Sequence, residues 1–170
     1  MIANYILSLL FCLLQSPSFY SFKVTDIDGK PMNLSSLKGK KVLIVNTASK
    51  CGYTPQYAEL EELSKKYKDK LTVIAFPANN FLHQEPGSNQ EIKSFCTKNY
   101  GVSFPVASKV SVKGDDIHPL FQWLIEQDNP DFTGNIKWNF EKFLLDENGK
   151  LIRRFRSGTK PMDPEIIKSL

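Results

Sequence analysis

The run Lys41-Val42-Leu43-Ile44-Val45-Asn46 constrains this 170-residue chain more than any other segment, because four successive apolar, mostly β-branched residues read as a buried strand. The strand leads through Thr47-Ala48-Ser49-Lys50 to a lone thiol, Cys51, and then through Gly52 and Tyr53 to Thr54-Pro55. Thr54 reads as a helix N-cap and Pro55 as the first helical residue. A cysteine delivered by a strand to the start of a helix lies near unpaired backbone N–H groups and the positive end of the helix dipole, where a thiolate is easiest to stabilise. The competing reading is an inert, buried free cysteine. Strand-to-helix placement, with Gly52 after the thiol and Lys50 before it, favours the reactive one.

The rest of the chain alternates the same two periodicities. Leu71 to Phe76 is a second buried strand. Thr54 to Lys70 repeats apolar residues at Leu60, Leu63 and Tyr67, as an amphipathic helix does. Ser88 or Asn89 can cap a helix that runs through Ile92 and Phe95 to Tyr100, carries Cys96 and stops at Gly101. Another helix spans His118 to Gln127 with Pro119 in its first turn, so His118 reads as a helix-start residue. Phe22 to Ile27 and Met32 to Leu34 pair around Asp28-Gly29, and Phe140 to Leu145 pairs with Leu151 to Phe155 around Asp146-Glu147-Asn148-Gly149. Met162 to Leu170 closes the chain as a short helix. No linker or repeat interrupts this order, which predicts one layered α/β domain. Twelve phenylalanines in a chain that is 41% hydrophobic supply its core. The net charge of +4 is not gathered into a stripe: Glu59, Glu61, Glu62, Lys65, Lys66, Lys68, Asp69 and Lys70 mix signs along one helix. That is a solvated helix face, and no nucleic-acid partner is expected.

Residues 1–18 carry no charged side chain, and Ile6 to Leu14 is apolar except for Ser8 and Cys12. A helix needs about 20 residues to span a bilayer, so this segment is too short and instead suits the apolar region of a signal peptide, with Ser16-Pro17-Ser18 as small residues at a cleavage site. Export to a periplasm or the exterior is the expected localisation. An uncleaved leader on a cytoplasmic protein is the alternative, since no Lys or Arg stands near Met1. The bulky Phe11 before Cys12 argues against lipidation there. The expected organisation is a leader over 1–18 and one domain over 19–170.

Four blocks then carry a resemblance: Asn46-Thr47-Ala48-Ser49-Lys50-Cys51-Gly52, Phe76-Pro77-Ala78-Asn79-Asn80-Phe81, Gln84-Glu85-Pro86-Gly87 and Trp138-Asn139-Phe140. In this order and spacing they resemble the signature blocks of the glutathione peroxidase family, from about Phe19 to the C-terminus. The resemblance implies a thioredoxin-like fold, with a central mixed sheet flanked by helices and an N-terminal hairpin. It also implies reduction of hydrogen peroxide or organic hydroperoxides without a cofactor or metal. By position it makes Cys51 the peroxidatic nucleophile, with Gln84, Trp138 and Asn139 around it. Side-chain amides and an indole N–H suit that place as donors that do not titrate. Ala78 stands where many relatives have cysteine, Asn80 where glutamine is usual, and Leu82-His83 where paired glycines are frequent. The loop is therefore bulkier, which leaves peroxide size preference open, and His83 reads as a loop residue without a catalytic part.

Cys96 matches the resolving cysteine of thioredoxin-dependent members. The resemblance thus implies a sulfenic acid on Cys51, a Cys51–Cys96 disulfide, and reduction by thioredoxin or a related dithiol protein in preference to glutathione. In an exported chain a static structural disulfide is the competing view. Cys96 sits on a helix, so closing the bond is expected to need local unwinding, because disulfide Cα atoms must come within about 7 Å. From the helix around Phe121-Gln122-Trp123-Leu124 the chain reaches Trp138 through only Ile125 to Lys137, which leaves no room for the long insertion that often builds a tetramer interface in glutathione-dependent members, and a monomer is expected. The alternative from another class is a thioredoxin-like thiol or metal-binding module without turnover. The sequence has no close cysteine pair and only two histidines, His83 and His118.

Overall fold

The computed structural model describes residues 17–170. Nearly all of the apolar leader, including Cys12, lies outside the described residues. Six strands and four α-helices follow a short 3-10 turn at Phe19–Ser21: β1 (Val24–Thr25), β2 (Pro31–Met32), β3 (Lys41–Thr47), α1 (Gln56–Lys66), β4 (Leu71–Pro77), α2 (Asn89–Tyr100), α3 (Pro119–Glu126), β5 (Lys142–Leu145), β6 (Leu151–Phe155) and α4 (Pro164–Ile167). β1 and β2 form the N-terminal hairpin, and the other four strands form one sheet in the order β4-β3-β5-β6. β3 runs parallel to β4, with Val45 opposite Ala75, and antiparallel to β5, with Val45 opposite Lys142. This mixed sheet is the thioredoxin-like arrangement that the family resemblance implies.

Both faces of the sheet are covered, which explains why β3 reads as a continuous apolar run instead of alternating with polar residues. Successive side chains on a strand point to opposite faces. Val42 and Ile44 join Ile74, Phe76 and Phe143 beneath Leu120, Phe121 and Leu124 of α3. Leu43 and Val45 join Val73, Ala75 and Leu144 beneath Tyr57, Leu60 and Leu63 of α1 and Ile92 and Cys96 of α2.

The ends of α2 and α3 follow the sequence signals. Ser88 and Glu91 form a reciprocal capping box, satisfying two of the N–H groups that a helix start leaves free, and Gly101 ends α2 at φ +61°. His118 Nδ1 accepts the Leu120 N–H at 3.2 Å, capping α3 ahead of Pro119. Gly149 lies at φ +80° in the β5–β6 turn, where a Cβ would fall 2.9 Å from the Tyr20 ring.

Two helices differ from expectation. The last is a single turn, Pro164–Ile167, capped by Asp163. α1 starts at Gln56, and Thr54 does not cap it. The chain enters α1 through a tighter turn, in which the Gln56, Tyr57 and Ala58 N–H groups donate to carbonyls three residues back. Thr54 Oγ1 instead turns back to the Cys51 loop.

Candidate active site

Cys51 lies between the end of β3 and the start of α1 and is 8% exposed. Thr54 Oγ1 accepts the Cys51 N–H at 3.0 Å and donates to the Ala48 carbonyl at 2.8 Å, while the Thr54 N–H donates to the Cys51 carbonyl at 3.0 Å. One side chain thus closes the loop around the thiol. The Tyr53 N–H donates to Cys51 Sγ at 3.4 Å, a backbone donor aimed at the place where negative charge would sit.

A second loop, after β4, is fastened to the first. The Lys50 N–H donates to the Gln84 carbonyl at 3.0 Å. Asn79 Oδ1 accepts the Glu85 N–H at 2.9 Å, and Asn80 reaches Ser111 and Val112. Between these anchors Leu82 and His83 take φ values of +49° and +53°. This is the left-handed region where glycine is the easy choice; two other residues there cost on the order of 1 kcal/mol each. The backbone keeps the shape that glycines would favour and holds Leu82 75% exposed. His83 is exposed and meets Asn79 at 3.4 Å.

A third loop brings Trp138 and Asn139. Asn139 is fully buried, and its Nδ2 donates to Gln84 Oε1 at 2.9 Å, so the NH₂ end of Gln84 is the end left for a ligand. Asn139 Oδ1 is buried without a hydrogen-bond partner among the described residues. The Trp138 ring packs on Phe81 at 5.6 Å between centroids and also touches the core cluster that contains Cys51. The loops bearing Cys51, Gln84 and Trp138-Asn139 therefore meet through the Lys50–Gln84 and Gln84–Asn139 bonds.

Several residues that position this site had no assigned role in the sequence reading. Asn46, at the end of an apolar strand, donates to the Trp138 carbonyl at 3.1 Å and accepts the Glu141 N–H at 3.0 Å, and its own carbonyl accepts from Phe140. Glu141 accepts from the Lys137 N–H, Arg154 and Arg156 at 2.8 to 2.9 Å. The sequence signal available was a polar residue placed inside an apolar strand pattern. Glu141 and Arg154 are both fully buried, so Glu141→Ala would strand a buried guanidinium and is expected to lower unfolding stability by about 3–5 kcal/mol. Urea denaturation checks this, and a loss under about 1 kcal/mol would show that the pair is replaceable.

Lys142, on β5 beside β3, is also fully buried. Its Nζ donates to Gln56 Oε1 at 2.6 Å and to the Thr159 and Ser157 carbonyls at 2.5 and 3.3 Å, tying the first turn of α1 to the loop after β6. Burial pulls its pKa down to about 7 against the opposing pull of Glu59 and Glu141. An unfolded lysine titrates near 10.4, so between about pH 7 and 10 the unfolded chain holds more protons and this group makes stability rise with pH. That contribution disappears as pH falls through 7. Lys142→Met should flatten the rise in urea midpoint between about pH 7 and 9.5, and an unchanged slope would contradict the assignment.

Cys96, 1% exposed, lies on the buried face of α2, and both it and Cys51 are free thiols. Burial pushes the Cys96 thiol up, Tyr57 pulls it down and Glu85 raises it further. Tyr57 Oη is close enough to Cys96 and Thr47 to be coupled to them, yet it is buried without a hydrogen bond of regular geometry. Glu85 is 1% exposed, accepts from Ser49 Oγ at 3.1 Å, and has its pKa raised by burial.

The family model described as Glutathione peroxidase matches residues 19–125. The chain is 53% identical over 144 residues to the glutathione peroxidase-like peroxiredoxin gpx1 of Schizosaccharomyces pombe, covering 84% of this chain and 91% of that one. It is 44% identical over 168 residues to the thioredoxin/glutathione peroxidase BtuE of Escherichia coli, covering 86% and 92%. The crystal structure of T. cruzi GPX1 superposes with a TM-score of 0.69 at 36% identity, covering 90% of this chain and 93% of that one.

Proposed function

Because the chain belongs to the glutathione peroxidase family, we propose that Cys51 is its peroxidatic thiol, with Gln84, Trp138 and Asn139 as the surrounding groups and Cys96 as the resolving thiol. The protein is a thiol peroxidase. The observation that most supports these roles is the linked pair of bonds, Lys50 N–H to the Gln84 main-chain carbonyl and Asn139 Nδ2 to Gln84 Oε1, which ties the loops of Gln84 and Asn139 to the residue beside Cys51.

The Cys51 thiolate attacks one peroxide oxygen, the O–O bond breaks, and the departing oxygen leaves as water or an alcohol after taking a proton. The free NH₂ of Gln84 can donate to the anion or the peroxide, in the orientation that the Asn139 Nδ2 bond to Gln84 Oε1 sets. Cys51 is left as a sulfenic acid, which condenses with the Cys96 thiol to a disulfide and water. A dithiol protein of the thioredoxin type then reduces that bond through a mixed disulfide. The relatives' names include peroxiredoxin and thioredoxin/glutathione peroxidase, so both a dithiol protein and glutathione belong in the test. With only residues 127–137 between α3 and Trp138, the protein acts as a monomer in this reading.

A coupled turnover assay with thioredoxin or glutathione, on hydrogen peroxide and on a bulky organic hydroperoxide, tests the reading. Faster turnover with thioredoxin is expected. A clear preference for glutathione would overturn the reductant, and peroxide loss that never exceeds the amount of protein would favour a thiol-binding module. Gln84→Ala, Trp138→Phe and Asn139→Ala should each slow oxidation of Cys51 about tenfold or more, corresponding to about 1.4 kcal/mol per lost group. Unchanged rapid-mixing rates in all three would remove them from the peroxide step.

A further inference from the structure

Glu85 is not among the residues given a role in the peroxide step, yet its carboxylate is buried on the wall of a cleft of about 360 Å³ between the Cys51 loop and α2. Ser49 and Lys50 line the cleft on one side, and Glu91, Ile92 and Phe95 of α2 line the other. Ile92 is one turn before Cys96 on the same buried face of that helix. The cleft is thus the space between the two thiol-bearing segments. Ser49 Oγ holds the carboxylate at 3.1 Å, and the Lys109 ammonium donates to the Glu85 and Gly87 carbonyls at 3.3 and 2.7 Å, fixing the backbone beneath it.

We propose that Glu85 takes the proton from the Cys96 thiol in the resolving step, and that the sulfurs of Cys51 and Cys96 meet in this cleft. The inference rests on the two-cysteine reading above. Cys96 needs such a partner because burial holds its thiol in the neutral form, and the attacking species is the thiolate. In the step, the proton passes from Cys96 Sγ to the Glu85 carboxylate, and the sulfur electron pair forms the bond to Cys51 Sγ. The Cys51 S–O bond breaks, the Cys96 sulfur is oxidised and the Cys51 sulfur reduced. The departing hydroxide takes the proton back from Glu85 and leaves as water. Burial raises the Glu85 pKa, which makes the carboxylate a better base than an exposed one.

The test separates oxidation from resolution by rapid mixing with hydrogen peroxide, followed by alkylation and peptide mapping of the full chain. Glu85→Gln keeps the shape and an acceptor for Ser49 but removes the base. Disulfide formation should slow by about a hundredfold, within the usual range for general-base catalysis, while Cys51 oxidation changes by less than about threefold. Glu85→Asp should recover part of the lost rate, which a purely structural role for glutamate would not predict. In the wild type the rate of disulfide formation should fall in acid, and Glu85→Gln should lose that limb. Lys50 and Glu91 also line the cleft, and Lys109, Tyr57 and Cys96 lie within electrostatic reach of Glu85; all five are the same in the wild type and the Glu85 variants. A wild-type rate of disulfide formation in Glu85→Gln, or an equal fall in both steps, would overturn the assignment. If Cys96→Ser still turns over with thioredoxin, the two-cysteine reading fails and this inference with it; if that variant is silent, a normal Glu85→Gln removes Glu85 alone.

Discussion

Replacing Cys51 by serine is expected to abolish peroxide turnover, a loss of at least about a thousandfold, because removing a covalent nucleophile leaves only binding and polarisation by the remaining groups. Cys51 Sγ receives the Tyr53 N–H, a donor that stabilises an anion and cannot remove a proton. A thiol ionises appreciably without help near neutrality, whereas a serine hydroxyl needs an adjacent base. Serine is close in size, and the Thr54 bonds that shape the loop are to backbone atoms of residues 48 and 51. The variant should therefore fold with an unchanged circular dichroism spectrum. A coupled assay that retains more than about one hundredth of the activity would remove Cys51 from the reaction.

Cys96→Ser is expected to fail in a different way. Its Cys51 still meets peroxide, so a single equivalent should be consumed at the wild-type oxidation rate, but no disulfide can form for a dithiol protein to attack. Steady-state turnover with thioredoxin should fall to the background rate. Cys96 lies with Tyr57 in the core beneath α1 and α2, and serine there loses some apolar contact without a change of shape. A melting curve separates that packing effect from chemistry. Full steady-state activity with thioredoxin would refute the resolving role.

The local physics of the chain made most of this fold legible. The apolar run of β3, the Ser88 cap and Gly101 stop of α2, and the His118-Pro119 start of α3 all express their backbone needs within a few neighbouring residues. Thr54 misled because a Thr-Pro pair also suits a helix N-terminus; its hydroxyl is instead drawn to the Cys51 N–H and Ala48 carbonyl by the tight turn that precedes α1. The family blocks named Cys51, Gln84, Trp138 and Asn139, and the three loops that bear them join in one hydrogen-bonded arrangement. Of the positioning shell, only the polar Asn46 at the end of an apolar strand gave a signal. Asn46, Glu141 and Arg154 lie far apart in sequence and meet only after β3, β5 and β6 pair. Glu85 reads as one acidic residue in a loop until folding places its carboxylate between the Cys51 loop and α2.

The most direct measurement is a non-reducing peptide map of the fully reduced wild-type protein after one equivalent of hydrogen peroxide. The two-cysteine account predicts that the peptides containing Cys51 and Cys96 are recovered joined, two hydrogens lighter than their sum, and that thioredoxin separates them again. Recovery of Cys96 as a free thiol beside an oxidised Cys51, or of both thiols unmodified after the peroxide is gone, would contradict it.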